Sequence, residues 1–156
     1  MKKILFVCLG NICRSPLAEG IFNFIIKKKG FTNQFFSESC GTGSWHAGEL
    51  PDPRMRDVAK KNQINLISRS RQFKQEDFEN FDIIIAMDRQ NKNDLKNLAE
   101  TFQEENKIKL MRDFEKNNIN PDVPDPYYGG NDGFQNVFNI VYECTENLID
   151  YLRKNN

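Results

Sequence analysis

Apolar residues fall along this chain in two distinct periods. Ile4, Leu5, Phe6 and Val7 run without a polar interruption, and Ile83, Ile84, Ile85 and Ala86 do the same. Short continuous runs of branched apolar residues predict strands buried on both faces of a parallel sheet, over residues 3–7 and 82–87. Residues 34–40 and 107–111 are weaker strand candidates, the second alternating as a more exposed strand does. The other period is helical. Leu17, Ala18, Ile21, Phe22 and Ile25 form a stripe that fades at Lys27-Lys28-Lys29-Gly30. Ser15 is placed to cap that helix, with Pro16 at its first position, where a missing N–H costs nothing. Phe134, Val137, Phe138, Val141, Thr145, Leu148, Ile149 and Leu152 keep the i, i+3, i+4, i+7 spacing of a long terminal helix. Residues 54–62 and 89–99 are further helix candidates, and 75–80 reads as a short turn.

Strand, helix, strand, then alternation to a final helix predicts an α/β fold. The expectation is a single doubly wound domain over residues 1–156, with a four-stranded parallel sheet flanked by helices on both faces. Ligands of such sheets bind beyond the carboxyl ends of the strands, near the point where strand order reverses. Cys8, Ser39, Gly41 and Asp88 all stand at or just past predicted strand ends, so they are expected to edge one crevice. Residues 112–133 break the alternation. This stretch carries Asp122, Asp125, Asp132 and Tyr127-Tyr128-Gly129-Gly130, and long loops in compact domains are usually functional or disordered. Its packed aromatics and defined turn favour function.

The strand-to-helix junction carries the chemistry. It reads Cys8-Leu9-Gly10-Asn11-Ile12-Cys13-Arg14-Ser15-Pro16. Five residues between Cys8 and Arg14 allow the backbone amides of Leu9 through Ser15 and one guanidinium to converge on a tetrahedral anion. A cysteine at a helix N-terminus beside an arginine is favoured as its thiolate, the form that attacks a phosphate monoester and makes a phosphocysteine. Asp125, between Pro124 and Pro126, is the candidate to protonate the leaving oxygen and later to deprotonate water. Neither step requires a metal or other cofactor, and none is expected. His46 is the only histidine and is assigned no proton transfer.

Composition narrows the field. Lys plus Arg and Asp plus Glu are 22 each, so no overall field draws the chain to nucleic acid or an anionic membrane. The apolar stretch 4–9 is too short for a signal-peptide core, and no segment is long enough to span a bilayer. Cys8, Cys13, Cys40 and Cys144 lack CxxC spacing and the density of a disulfide scaffold, which argues against structural disulfides and zinc and for a reducing cytoplasm.

The stretch 8–16, together with Asp125-Pro126-Tyr127-Tyr128-Gly129-Gly130, resembles the low-molecular-weight protein tyrosine phosphatase family. Ser39-Cys40-Gly41-Thr42, Trp45-His46-Ala47-Gly48, Pro51-Asp52-Pro53-Arg54, Arg71-Gln72 and Met87-Asp88 follow in the family's order. The resemblance implies a monoester hydrolase acting on tyrosine-phosphorylated proteins and releasing inorganic phosphate. Cys8 would be the nucleophile, Arg14 the phosphate clamp and Asp125 the general acid and base. It also implies that Asn11 holds the loop through Ser39, and that Ser15 donates to the Cys8 sulfur. Leu9, Ile12, Trp45, His46, Tyr127 and Tyr128 would wall a pocket for a phenyl ring, and Cys13 would trap oxidised Cys8 as a reversible disulfide. A monomer is expected, with weak self-association through the aromatic rim as the alternative.

Two departures stand out. Ser68 occupies a position where many relatives carry histidine, removing the ring from a buried network with Glu19 and Asp88. Cys40 replaces a smaller residue, a packing variation. Rival readings are a protein-arginine phosphatase of the same family, an arsenate reductase and a non-catalytic phosphoanion-binding module. Ile12 and the Tyr127-Tyr128 pair favour phosphotyrosine over phosphoarginine. An arsenate reductase would need a further relay of paired cysteines, and a binding module would need neither Cys8 nor Asp125.

Overall fold

Four parallel strands, β1 (Lys2–Cys8), β2 (Phe35–Gly41), β3 (Ile83–Ala86) and β4 (Ile108–Leu110), pair in the order β2-β1-β3-β4 in the computed structural model. Residues 1–117, 119–128 and 130–155 are described, without the side chains of Tyr128 and Asn131. Helices α1 (Arg14–Lys28), α2 (Pro53–Lys61), α3 (Asp77–Asn80), α4 (Arg89–Leu98), α5 (Phe102–Asn106) and α6 (Asn131–Lys154) complete the architecture.

The unbroken apolar runs are explained by burial on both faces. Ile4, Phe6 and Ile85 point into a core built with α1, α2 and α6, while Leu5, Val7 and Ile84 point into a second core with Phe73, Phe78, Phe81 and Leu95. A one-sided sheet would have needed polar residues at every second position. On the first face, Phe22 meets Phe6 and Phe35 edge-on, at centroid distances of 5.7 and 6.1 Å. The terminal stripe from Phe134 to Leu152 is buried throughout, and the Thr145 hydroxyl donates to the Val141 carbonyl. Cys40 packs in the second core, as a packing variation should. No helix among the described residues is long and apolar enough to cross a membrane.

Strand order reverses beside β1, with β2 on one side and β3 on the other. Cys8 pairs with Gly41 at the carboxyl end of β1, so the Cys8–Arg14 loop opens at the switch point.

Three expectations need correction. Helix α1 begins at Arg14 with Cys13 at the cap, and Ser15 caps nothing because its hydroxyl is engaged beneath Cys8. The turn at 75–80 contains a short helix, α3. Helix α5 was not anticipated: none of its residues is buried, so it has no apolar stripe. Its signature is instead a capping box, in which the Thr101 hydroxyl accepts from the Glu104 amide and the Glu104 carboxylate accepts from the Thr101 amide.

Candidate active site

The loop after β1 curls under its own cysteine. The Asn11 N–H donates to Cys8 Sγ at 3.2 Å, and the Ser15 hydroxyl lies 3.0 Å from the same sulfur. Asn11 adopts φ 54°, the left-handed region that asparagine tolerates better than other residues with a side chain. Its amide is nearly saturated: Nδ2 donates to Ser15 Oγ at 2.8 Å and to Ser39 Oγ at 3.0 Å, and Oδ1 accepts from the Arg71 N–H at 3.1 Å. The Ser39 hydroxyl in turn donates to Glu19 Oε2 at 2.5 Å. Burial pushes the Glu19 carboxyl up, against hydrogen bonds from Ser39 and Ser68 that pull it down. Ser68 therefore supports the loop through Glu19 and Ser39, where a histidine network had been expected to be missing. Asp88 is not part of this network.

Asp88 instead faces Arg14. Arg14 Nη1 donates to Asp88 Oδ2 at 2.6 Å and to the Val123 carbonyl at 3.0 Å, and Nη2 donates to Asp125 Oδ2 at 3.3 Å. Burial opposes the Arg14 charge, yet Cys8, then the hydrogen bond to Asp88, then Asp125 outweigh it and raise the guanidinium above its usual range. Both Nη1 hydrogens are consumed by Asp88 and Val123. The Nε–Nη2 edge is left as the side able to meet an oxyanion. Asp88 also accepts the Asn91 amide at the start of α4, so one carboxylate caps a helix and orients the arginine.

Cys8, Leu9, Gly10, Ile12, Cys13, Arg14, Trp45, His46, Asp125 and Tyr127 line one cavity of about 330 Å³. Asn11, Ser15 and Ser39 are in the layer beneath it. The Tyr128 side chain lies outside the described residues, so its place in the wall is left open. Trp45 is 70 % exposed and hangs over Gly43, where any β-carbon would meet its ring at 1.8 Å. A β-carbon on Gly41 would stand 2.7 Å from the Leu9 carbonyl, because the end of β2 cradles the loop. The amides of Thr42 and Gly43 donate to Cys8 and Leu9 carbonyls, each at 2.9 Å. Gly41 was expected at the crevice edge and is found there, whereas Gly43 escaped the reading of the sequence, since only the fold shows how closely it is approached.

The remaining wall is held by polar contacts. His46 Nδ1 lies 2.7 Å from Glu49 Oε2, with its ring 6.4 Å from that of Tyr127. Arg54 lies over the Tyr127 and Phe134 rings at 5.7 and 4.6 Å, while its Nε and Nη2 pair with Asp52. The hydrogen bond from Arg54 holds the Asp52 carboxyl below the usual range. Burial, then Asp52, Cys8 and Asp125, push the Cys13 thiol up. Asp125 Oδ1 accepts the Tyr127 amide at 3.0 Å, closing a turn around Pro126 that keeps its other oxygen toward Arg14.

The sequence matches the family described as low molecular weight phosphotyrosine protein phosphatase over residues 3–156. A Schizosaccharomyces pombe low molecular weight phosphotyrosine protein phosphatase is 40 % identical over 148 residues, covering 94 % of each chain. A protein tyrosine phosphatase from Entamoeba histolytica, crystallised with Hepes in its active site, superposes with a TM-score of 0.95 at 42 % identity and 99 % coverage of both chains. The Drosophila arginine phosphatase superposes with a TM-score of 0.90 at 30 % identity, covering 97 % of this chain and 98 % of that one. Sequence match, fold and the geometry around Cys8 agree: the chain belongs to the low molecular weight phosphotyrosine protein phosphatase family, a family of hydrolases.

Proposed function

We propose that this protein hydrolyses phosphotyrosine in proteins, and small aryl phosphates, through a phosphocysteine intermediate. The observation that carries the reading is that Cys8, Arg14 and Asp125 line the same cavity, with the sulfur already receiving the Asn11 amide. In the first step the Cys8 thiolate attacks phosphorus as the bond to the tyrosine oxygen breaks, and Asp125 gives that oxygen a proton. The Nε–Nη2 edge of Arg14 and the loop amides meet the equatorial oxygens where charge builds. In the second step the Asp125 carboxylate takes a proton from water as it attacks phosphorus. The P–S bond breaks, inorganic phosphate leaves, and Ser15 stabilises the departing thiolate.

Substrate choice rests on the wall. Leu9, Ile12, Trp45 and Tyr127 give the cavity apolar sides that suit a flat phenyl ring above the anion site. The likeness to the Drosophila arginine phosphatase supports a second reading, phosphoarginine hydrolysis. Four buried, free cysteines suit a reducing compartment such as the cytoplasm.

The test compares wild type, Cys8→Ser and Asp125→Ala on p-nitrophenyl phosphate, a phosphotyrosine peptide and a phosphoarginine peptide, with acid-quench trapping of the phosphoenzyme. Wild type is expected to prefer phosphotyrosine and to accumulate labelled Cys8. Cys8→Ser should bind phosphate without turnover, and Asp125→Ala should be slowed most on poor leaving groups. Turnover by Cys8→Ser comparable to wild type would refute the covalent route. A preference for phosphoarginine would transfer the assignment to the second reading.

A further inference from the structure

Three consecutive residues leaving β3 each hold a different part of the site. The Met87 carbonyl accepts the Val123 N–H at 2.8 Å, and Asp88 pairs with Arg14. Arg89 grips Asp122: its backbone N–H donates to Oδ1 at 2.8 Å, Nη2 donates to Oδ2 at 3.0 Å, and Nε lies 3.3 Å from both oxygens. The backbone of Asp122 is tied as well, its N–H donating to Asn120 Oδ1 and its carbonyl accepting from Arg112 Nη1, both at 2.9 Å. The hydrogen bond from Arg89 holds the Asp122 carboxyl below the usual range, so the pair is charged at neutral pH.

The pair lies outside the cavity, with the Arg89 side chain exposed and that of Asp122 half-buried. Exposed ion pairs contribute little to global stability, so a bidentate contact reinforced by a backbone amide calls for another explanation. Position supplies it. Asp125 follows Asp122 by three residues, separated by Val123, which is 1 % exposed, and Pro124, whose φ is locked. Few soft dihedrals lie between the clamp and the carboxyl, so a shift at Asp122 carries through to Asp125.

We infer that Arg89 and Asp122 are positioning residues for the proton donor: they fix the loop bearing Asp125 to the β3–α4 junction that also holds Arg14 through Asp88. Acid and phosphate clamp then share one frame. The inference rests on the assignment of Asp125 as the general acid, and the test separates the two.

The experiment measures kcat/KM across aryl phosphates whose leaving groups run from p-nitrophenol to phenol, for wild type, Arg89→Met, Arg89→Lys, Asp122→Asn, Asp125→Asn and the Arg89→Met/Asp125→Asn double variant. General-acid contributions are largest for poor leaving groups. Arg89→Met is therefore expected to lose about tenfold on phenyl phosphate and under about threefold on p-nitrophenyl phosphate. Asp122→Asn, which keeps an oxygen for the Arg89 amide, should tilt the series the same way, and Arg89→Lys should recover part of the loss. Inhibition by inorganic phosphate should stay within about twofold of wild type, because the anion site is not touched. The double variant should be no steeper than Asp125→Asn alone. A steep Asp125→Asn series beside flat Arg89→Met and Asp122→Asn series overturns the clamp and leaves the acid in place. A flat Asp125→Asn series removes the acid, and the clamp with it. An equal loss on every substrate with weakened phosphate binding, or additive losses in the double variant, reduces the pair to a structural contact.

Discussion

Replacing Asn11 by alanine tests the support under the anion loop with a magnitude that the structure supplies. Asn11 is 2 % exposed, and truncation deletes its bonds to Ser15, Ser39 and the Arg71 amide. At a net value of about 1 kcal/mol for each buried bond, the loss is about 3 kcal/mol. Alanine at φ 54° lacks the local polar compensation available to asparagine, which adds about 1 kcal/mol for the left-handed backbone. A destabilisation on the order of 4 kcal/mol is large but leaves a domain of ordinary stability folded at 25 °C. In a chain of this size each kcal/mol moves Tm by about 2–4 °C, so the expected fall is about 8–16 °C by circular dichroism.

A second readout shows where that energy resides. The same bonds aim the Asn11 N–H and Ser15 hydroxyl at Cys8, so inhibition by inorganic phosphate should weaken by about tenfold or more. Ser39→Ala removes one of the three Asn11 bonds and the bond to Glu19, and should give about half the fall in Tm. A drop below about 3 °C in Asn11→Ala, with phosphate inhibition unchanged, would refute the argument that this side chain holds the loop in its left-handed form.

Other expectations follow from the same geometry. Arg14→Lys keeps the charge but loses the fork that serves Asp88, Val123 and the anion together, so kcat/KM on p-nitrophenyl phosphate should fall by about 10²-fold or more, with a melting shift of only a few degrees. Cys13→Ser should leave turnover near wild type while losing recovery by dithiothreitol at peroxide doses from which wild type recovers; without Cys13 to condense with it and release water, the Cys8 sulfenic acid stays open to a second peroxide, which carries it to the sulfinic acid that dithiothreitol does not reduce. Retained recovery would exclude Cys13 as the resolving thiol. Glu19 titrates above the ordinary glutamate value in the folded chain, so the folded state favours its protonated form, and that stabilisation is lost as pH rises through the raised value. The Tm advantage of Glu19→Gln over wild type should therefore grow between pH 4.5 and 7, by thermal melts in parallel buffers; a flat or shrinking difference would contradict the burial of a charged carboxylate.

Strands β1 and β3 were legible because burial on both faces erases alternation, and α6 because one face alone is buried. Helix α5 was illegible by the same logic, since a five-residue helix that buries nothing has no stripe, and only the Thr101–Glu104 capping box marks it. The misplaced start of α1 has a different origin. A serine before proline is an ordinary capping signal, but the Ser15 oxygen is within bonding reach of Cys8 Sγ, Asn11 Nδ2 and the Cys40 carbonyl, and tertiary partners outbid the local one. That override occurs at the nucleophile, where local rules are expected to fail.

The chemistry of the site was legible as residue types, and its frame was not. Spacing between Cys8 and Arg14 announces an anion loop, because both ends lie within seven residues. Nothing local announces that Arg14 is held by a carboxylate 74 residues away and a loop carbonyl 109 residues away. Asp88 is visible in sequence as a residue just past a strand end; its roles as cap of α4 and partner of Arg14 emerge only in the fold, where β3 lies beside β1. The same holds for Ser68. The family resemblance marks it as serine where a histidine was expected, whereas in the fold two hydroxyls, Ser39 and Ser68, converge on the Glu19 carboxylate beneath Asn11. Burial raises the proton affinity of that carboxylate and the two donors oppose the rise, favouring the ionised form that accepts from Ser39. The hydroxyl donors keep Glu19 joined through Ser39 to the Asn11 amide, and the left-handed turn at Asn11 rests on that chain.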